Sequence, residues 1–401
     1  MLGLLPLSLY VHLPWCVRKC PYCDFNSHEY RDGRGGPPFE AYVDALLADL
    51  DVDLPLVWGR SVHSVFFGGG TPSLFPAAAI DRFLQGASAR LRFAPGCEIT
   101  LETNPGTAEH GRFEDYRRAG VNRISFGIQS FDDGCLQRLG RIHDSGQADA
   151  AVKLAQDAGF DNLNLDLMYA LPGQTLAMAE RDLERAFALQ PAHISHYQLT
   201  LEPNTVFAVR PPAGLPDEDA AWDIQEHCQA RLAEAGFAQY EISAYARPGR
   251  QCAHNLNYWR FGDYLGIGAG AHGKLTLPAA EGEGEGRILR RWKHKHPATY
   301  LAQAGTAAAI GGDSEIPPAQ RPFEFMLNAL RLREGFALNA FETRTGLPRS
   351  AIAAPLARAV DAGWLVVAGD RVAPTEAGLR FANDAISLFL TGEDADGTVS
   401  A

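Results

Sequence analysis

The sequence predicts an α/β protein built on a parallel sheet, with a winged-helix-like α+β domain at its C-terminal end. Three observations predict it. Short β-type runs alternate with longer helical patterns through the first half of the chain, as in a parallel sheet with right-handed crossovers. Glycine-rich and polar groups recur where those runs end, which is where parallel sheets place ligands. Beyond residue 316 the pattern changes to helix, helix and hairpin. The 401 residues also exceed the ~250–300 at which a single core stops growing, so more than one unit is expected.

In order, the strand candidates are 8–12, 64–67, 98–102, 123–127, 162–168 and 194–200. Helical patterns at 40–51, 77–91, 112–118, 146–158 and 176–189 lie between them. These six strands define a first unit, 1–205. The pattern then loosens over a second unit, 206–315, with a helix at 221–235 and an extended segment at 241–246. The run His254-Asn255-Leu256-Asn257-Tyr258-Trp259 follows, then a Gly/Ala segment at 266–272. The Glu-Gly repeat within 278–286 reads as a flexible loop. In the third unit, 316–401, helices are expected at 321–332, 338–345 and 349–362. A hairpin pairs 364–367 with 372–374 around Gly369-Asp370, and a helix closes at 376–390.

The richest chemistry lies in Cys16-Val17-Arg18-Lys19-Cys20-Pro21-Tyr22-Cys23, a C-x3-C-x2-C run with no fourth cysteine nearby. Iron–sulfur cubanes are usually held by four thiolates, so three leave one iron open for chemistry. Structural zinc is the rival: His12 and His28 could complete such a site, but there is no second C-x2-C knuckle. Three close thiols cannot all pair as disulfides, and seven cysteines in the chain fit a reducing compartment. Cys97, Cys135 and Cys228 read as core filler.

The segment Leu9-Tyr10-Val11-His12-Leu13-Pro14-Trp15-Cys16, leading into the triad, resembles the radical S-adenosylmethionine (SAM) superfamily. The resemblance implies a partial (β/α)6 barrel. It also implies a [4Fe–4S] cluster on Cys16, Cys20 and Cys23, with SAM chelating the open iron. Tyr22 then takes the aromatic position that packs on adenine. Gly68-Gly69-Gly70-Thr71, after the second strand, resembles the GGE-type motif whose backbone meets the SAM amino group. Triple glycine lets a backbone approach a ligand closely.

Other strand ends carry groups suited to such a ligand. Glu102 can accept from hydroxyls or an amino group, and Gln129 offers both donor and acceptor. Arg141 suits a carboxylate clamp. Asp166, flanked by leucines, is a carboxylate that a strand would not bury without a partner. The resemblance carries Tyr10, Tyr22, Gly69, Gly70, Thr71, Glu102, Gln129, Arg141 and Asp166 over as SAM contacts. In the porphyrin-handling branch of the superfamily, the positions matching Gln129, Arg141 and Asp166 face a second SAM, so one or two SAM molecules are open.

Within that branch, three observations separate heme chaperones from the oxidative decarboxylases of coproporphyrinogen III. The decarboxylases place another cysteine two residues after the triad, where this sequence has Phe25. Their N-terminal extension precedes the first strand, which here starts within ten residues of Met1. Finally, His254 to Trp259 resembles the HNxxYW signature of the heme-chaperone family HemW. The resemblance implies a third cofactor, heme, and apo-hemoprotein acceptors of the respiratory system as partners. His254 is the candidate heme ligand, with His193, His196 and His272 as rivals. Imidazole is a usual axial ligand, and Tyr258 and Trp259 could stack on a macrocycle. Arg250 and Arg260 could pair with propionates, and the Cys252 thiol could assist.

Net charge, 36 − 48 = −12, argues against a general nucleic-acid binder. The second helix of the winged-helix-like unit carries only Arg349 and Arg358, which argues against DNA as its target. The chain lacks ~18 consecutive apolar residues, and its first residues lack a basic targeting region. A cytoplasmic protein is expected, touching membrane-bound respiratory acceptors only transiently.

Overall fold

A computed structural model describes residues 2–30, 36–107, 112–277, 279 and 286–390. All six predicted strands form: β1 (Leu7–Leu13), β2 (Ser61–Gly69), β3 (Arg92–Thr103), β4 (Arg123–Gln129), β5 (Leu163–Tyr169) and β6 (His193–Gln198). They pair in parallel with each next neighbour. Near-continuous burial along β1, β4 and β5 explains their unbroken apolar character, because helices cover a parallel sheet. The connecting helices are α1 (Phe39–Asp53), α2 (Ala77–Ser88), α3 (Arg112–Arg118), α4 (Asp133–Arg138), α5 (Ser145–Asp157) and α6 (Leu176–Ala188). Local chemistry starts them where they start. Asp144 accepts from the Gln147 N–H at 2.8 Å, and the Gln147 side chain accepts from the Asp144 N–H at 3.0 Å, a reciprocal cap on α5.

The sheet runs well beyond these strands. Among the described residues it has 12 strands and does not close. Past β6 lie α7 (Glu218–Glu234) and the antiparallel strands β7 (Ala238–Glu241) and β8 (Ala244–Ala246). The motif run forms a short helix, α8 (Ala253–Trp259). The chain then returns to the opposite edge. Strand β9 (Asp263–Ile267) lies parallel to β1, pairing Leu7 with Asp263 and Val11 with Ile267. Strands β10 (His272–Leu277) and β11 (Arg287–Lys293), helix α9 (Pro297–Gln303) and strand β12 (Ile310–Glu315) complete that edge, the strands antiparallel.

The parallel run therefore has a seventh strand, and 206–315 supplies both sheet edges. The sequence hid β9 to β11 because they bury charge. The Lys293 side chain is 0% exposed and its Nζ donates to Asp49 and to Asp53 (2.7 Å), both on α1. Asp263 takes Arg60 at 2.9 Å and Lys274 at 3.1 Å. Each charge stays buried only because its partner does too.

The last unit contains α10 (Arg321–Ala329), α11 (Leu338–Thr345), α12 (Ala353–Asp361) and a small sheet of β13 (Phe336–Ala337), β14 (Leu365–Ala368) and β15 (Arg371–Pro374). The expected helix at 349–362 starts with a 3-10 turn, and the closing helix is two short ones meeting at Phe381. The core of this unit, around Phe325, Phe341, Ile352 and Val372, also takes in Phe261 and Ile288 from the preceding segment. Each such buried side chain contributes about 1.5–3 kcal/mol. Of the predicted loop at 278–286, only residues 279 and 286 fall within the described residues.

Candidate functional site

The loop after β1 carries the three cysteines to the carboxyl ends of the parallel strands. Trp15–Cys16 pairs with His28–Glu29 in a two-residue ladder that pins both ends of the loop. None of the three thiols is in a disulfide, and each has a polar neighbour. The Thr71 hydroxyl donates to Cys16 Sγ at 3.5 Å, Ser27 Oγ lies 3.7 Å from Cys23 Sγ, and Arg141 Nη1 donates to Cys20 Sγ at 3.6 Å.

These thiols line a cavity of about 310 Å³. Tyr22, Gly69, Gly70, Thr71, Glu102, Gln129, Arg141 and Asp166 line it as well, so every predicted SAM contact except Tyr10 meets the cysteines in one place. Free thiols facing a polar cavity at strand ends fit a three-cysteine cluster site with a SAM seat beside it. The glycines do a job visible without any ligand. A Cβ on Gly70 would lie 2.6 Å from the Trp15 carbonyl oxygen, and one on Gly69 (φ +113°) 2.6 Å from the His12 ring. The cysteine loop can cross β2 only over glycine. Gly70 and Thr71 then hold it by donating to the Leu13 and Trp15 carbonyls, each at 2.8 Å.

The cavity's two carboxyls, Glu102 and Asp166, are matched in number by Arg18 and Arg141, and both carboxyls are reluctant to ionise. Burial, with Asp166 nearby, pushes the Glu102 carboxyl up to about 8. Burial also raises Asp166, against the pull of Asn164, Ser195 and Ser125. The Asn164 amide donates to Asp166 at 2.8 Å and the Ser125 hydroxyl at 3.2 Å. Two such carboxyls favour a ligand that brings positive charge. Arg141 Nη2 is anchored to the Gly127 carbonyl at 2.6 Å, while its buried Nε has no partner among the described residues. Gln129 ends β4 at φ +71°, a strained position of about 1–3 kcal/mol, and accepts from the Tyr197 hydroxyl at 2.9 Å.

A second cavity, of about 680 Å³, adjoins the first and shares Cys23, Phe25, Ser27, Gly69 and Glu102 with it. Phe25, 60% exposed, stands on that shared wall. Tyr10 lines this larger space, its hydroxyl 3.0 Å from His12 Nδ1. Asn26 stitches the cysteine loop to the far edge of the sheet, donating from Nδ2 to the Ala269 (2.9 Å) and Lys295 (2.8 Å) carbonyls. Gly270 (φ +77°) accommodates it, since a Cβ there would lie 2.3 Å from that nitrogen.

The HNxxYW residues divide. Tyr258 lines the larger cavity beside Tyr264, ring centroids 4.2 Å apart. Trp259 faces away, under the Arg331 guanidinium at 4.3 Å. His254 is 2% exposed and lines neither cavity. Its Nδ1 lies 3.0 Å from Ser64 Oγ, its ring is stacked on Phe66 at 4.8 Å, and Nε2 has no partner among the described residues. Burial, then Arg123, push it down to about 3. Glu98 holds the helix start, accepting from the Ala253 and His254 N–H groups and from the buried Cys252 thiol.

The expected propionate clamps are engaged elsewhere, Arg250 with Asp161 and Arg260 with Glu334. Of the rival ligands, His193 uses both nitrogens, on Asn164 and Tyr240, and His196 is buried against Tyr169. His272 alone of the three is exposed and lines the larger cavity. Lys19, Tyr264 and Lys295, which sequence reasoning missed, also line it. No local motif marks them, because loops distant in sequence bring them together.

Comparison with known proteins gives a consistent result. Residues 10–186 match the model of the radical SAM superfamily, and residues 316–381 that of the HemN C-terminal domain. The chain is 50% identical to the heme chaperone HemW of Escherichia coli, over 97% of this chain and 100% of that one. It is also 50% identical to HemW of Haemophilus influenzae, over 97% and 99%. For HemW of Mycobacterium tuberculosis the identity is 35%, over 96% and 95%. Among solved structures, coproporphyrinogen III oxidase (HemN) of Escherichia coli is similar in fold, with a TM-score of 0.79 at 24% identity over 96% of this chain and 90% of that one.

Proposed function

We infer function from kinship: the chain belongs to the HemW family of heme chaperones, within the radical SAM superfamily. It is a heme chaperone that binds heme, a [4Fe–4S] cluster and SAM, and delivers heme to acceptor hemoproteins. The observation that carries this reading is identity at the 50% level along essentially the whole length of both chains. The likeness to the oxidase structure speaks to fold alone.

The residue assignments are part of the proposal. Cys16, Cys20 and Cys23 hold the cluster, and Tyr22, Gly69, Gly70, Thr71, Glu102, Gln129, Arg141 and Asp166 surround SAM, with Tyr10 at the back of the shared wall. Their convergence on one cavity supports this. A [4Fe–4S] cluster held by Cys16, Cys20 and Cys23 would supply one-electron reduction to a SAM seated beside it. The chain's own residues position and neutralise. Arg141, fixed on Gly127, orients a carboxylate, and Glu102 and Asp166 receive positive charge. Phe25 stands where a decarboxylase of this branch carries a cysteine, which favours carriage of heme over radical decarboxylation.

His254 is proposed to support heme from behind Tyr258, its ring 5.0 Å away. Residues 1–205 are proposed as the cluster and SAM unit, 206–315 as its heme-facing extension and 316–401 as the cap. Respiratory acceptors reached from the cytoplasm, through passing contact at the membrane, complete the proposal. Among the described residues no helix is long and apolar enough to cross a membrane.

The test is anaerobic. Cluster-reconstituted protein is given coproporphyrinogen III, SAM and reductant, and in parallel heme and an apo-hemoprotein. Heme transfer without formation of protoporphyrinogen IX is expected. Steady formation of protoporphyrinogen IX would overturn the chaperone reading.

A further inference from the structure

The larger cavity offers three histidines to a metal-bearing ligand, and they are not equivalent. His12 is buried and occupies both ring nitrogens, Nδ1 with the Tyr10 hydroxyl at 3.0 Å and Nε2 with the Asn26 carbonyl at 2.9 Å. His28 has Nε2 held by Asn26 Oδ1 at 3.1 Å. His272 is exposed, and its imidazole makes no hydrogen bond or ion pair among the described residues. Its ring is stacked on Trp292, centroids 6.2 Å apart at 23°. The backbone leading into it is fixed, Ala271 donating to the Gly268 carbonyl at 3.0 Å and Gly270 to the His294 carbonyl at 2.9 Å, and from His272 on it pairs with β11. Partial desolvation, with Lys295 and Arg290 nearby, holds the imidazole below its ordinary value, so it is neutral and its lone pair available near pH 7.

The rest of the lining suits a flat, dicarboxylated metal complex. Tyr258 and Tyr264 supply aromatic surface, and 680 Å³ is within the ~300–1,000 Å³ usual for ligand sites. The Lys295 ammonium lies beside His272 and pairs with no acceptor among the described residues, while on the rest of the lining Asp24, Glu102 and Glu202 outnumber Lys19, whose Nζ donates to the Phe25 carbonyl at 2.9 Å. Carboxylates are thereby directed to the His272 side.

We propose that the larger cavity is the seat of the heme cargo, with His272 as axial ligand, Tyr258 and Tyr264 against the macrocycle, and Lys295 facing a propionate. This rests on the heme-chaperone reading and locates its cargo.

Heme is titrated into the cluster-reconstituted full chain and followed by difference absorbance in the Soret region. Wild type should give an imidazole-ligated spectrum. His272→Ala should weaken binding on the order of 10–100-fold and lose that signature, which free imidazole restores. His272→Met should keep the fold and exchange imidazole for thioether ligation. His254→Ala, which reaches heme only through Tyr258, should keep imidazole ligation, and His63→Ala, exposed on β2 and lining neither cavity, should leave spectrum and affinity at wild type. An unchanged spectrum and affinity in His272→Ala, or loss confined to His254→Ala, overturns the assignment of His272. No heme binding by wild type at all would instead sink the chaperone reading itself.

Discussion

The two cavities meet along one wall yet are built on different principles. The smaller is lined from the ends of successive parallel strands, and its polar groups are largely tied down: Arg141 on Gly127, Asp166 on Asn164 and Ser125, Gln129 under Tyr197. The larger is assembled from loops and edge strands far apart in sequence, and its most useful groups, His272 and Lys295, are uncommitted. A pre-set space suits a cofactor that stays and is held in one pose. A space with free ligands suits cargo that must also leave.

The sharpest way to break this contrast is to empty the smaller cavity. Cys16→Ala, Cys20→Ala and Cys23→Ala should each abolish cluster absorbance and bound iron, with heme still titrating into the larger cavity. Simultaneous loss of both ligands would show that the two sites are one. Next in size is Gly70→Ala, whose new Cβ meets the Trp15 carbonyl oxygen at 2.6 Å and forces the cysteine loop off β2. It should cost about 2–4 kcal/mol in denaturant unfolding and lower cluster occupancy; a wild-type midpoint would mean the crossing is not tight.

A pH series separates the cavities further. With Glu102 pushed up to about 8 by burial and by Asp166, ionising it for a cationic ligand costs free energy below that pH. SAM affinity should rise with pH up to about 8, by up to about tenfold per unit, and Glu102→Gln should flatten the profile. Arg123, Tyr10 and the Gly69 N–H also face this carboxyl and stay in place in that variant. In the free protein the sign reverses. A carboxyl raised on folding contributes stability below its ordinary value of 4.5, and that contribution is lost as pH rises through about 8. The smallest effect is expected at Arg250→Ala, an exposed pair with Asp161 worth about 0–1 kcal/mol. Heme affinity should not move, and a large loss would restore Arg250 as a propionate clamp.

The same contrast explains what could be read from the sequence. Strands β1 to β6 announce themselves by apolar runs, and their ends by Gly68 to Thr71, Glu102, Gln129 and Asp166. Strands β9 to β11 were illegible because Asp263, Lys274 and Lys293 are buried inside them, and a pattern based on hydrophobicity reads such charges as surface. His254 stood out through its motif, yet Phe66, Ser64 and Tyr258 enclose it. His272 follows an ordinary Gly/Ala turn, and only the return of the chain to the β1 edge brings it to the cavity.

Asn26 and Gly270 have a consequence for inheritance. The amide of one occupies the volume a Cβ on the other would need, and it bonds two carbonyls that no shorter side chain at 26 could reach together. Neither position is free to drift alone. Across relatives, a larger residue at 270 is expected only where 26 has shrunk, so the two sites, 244 positions apart in the chain (270 − 26), should vary as one.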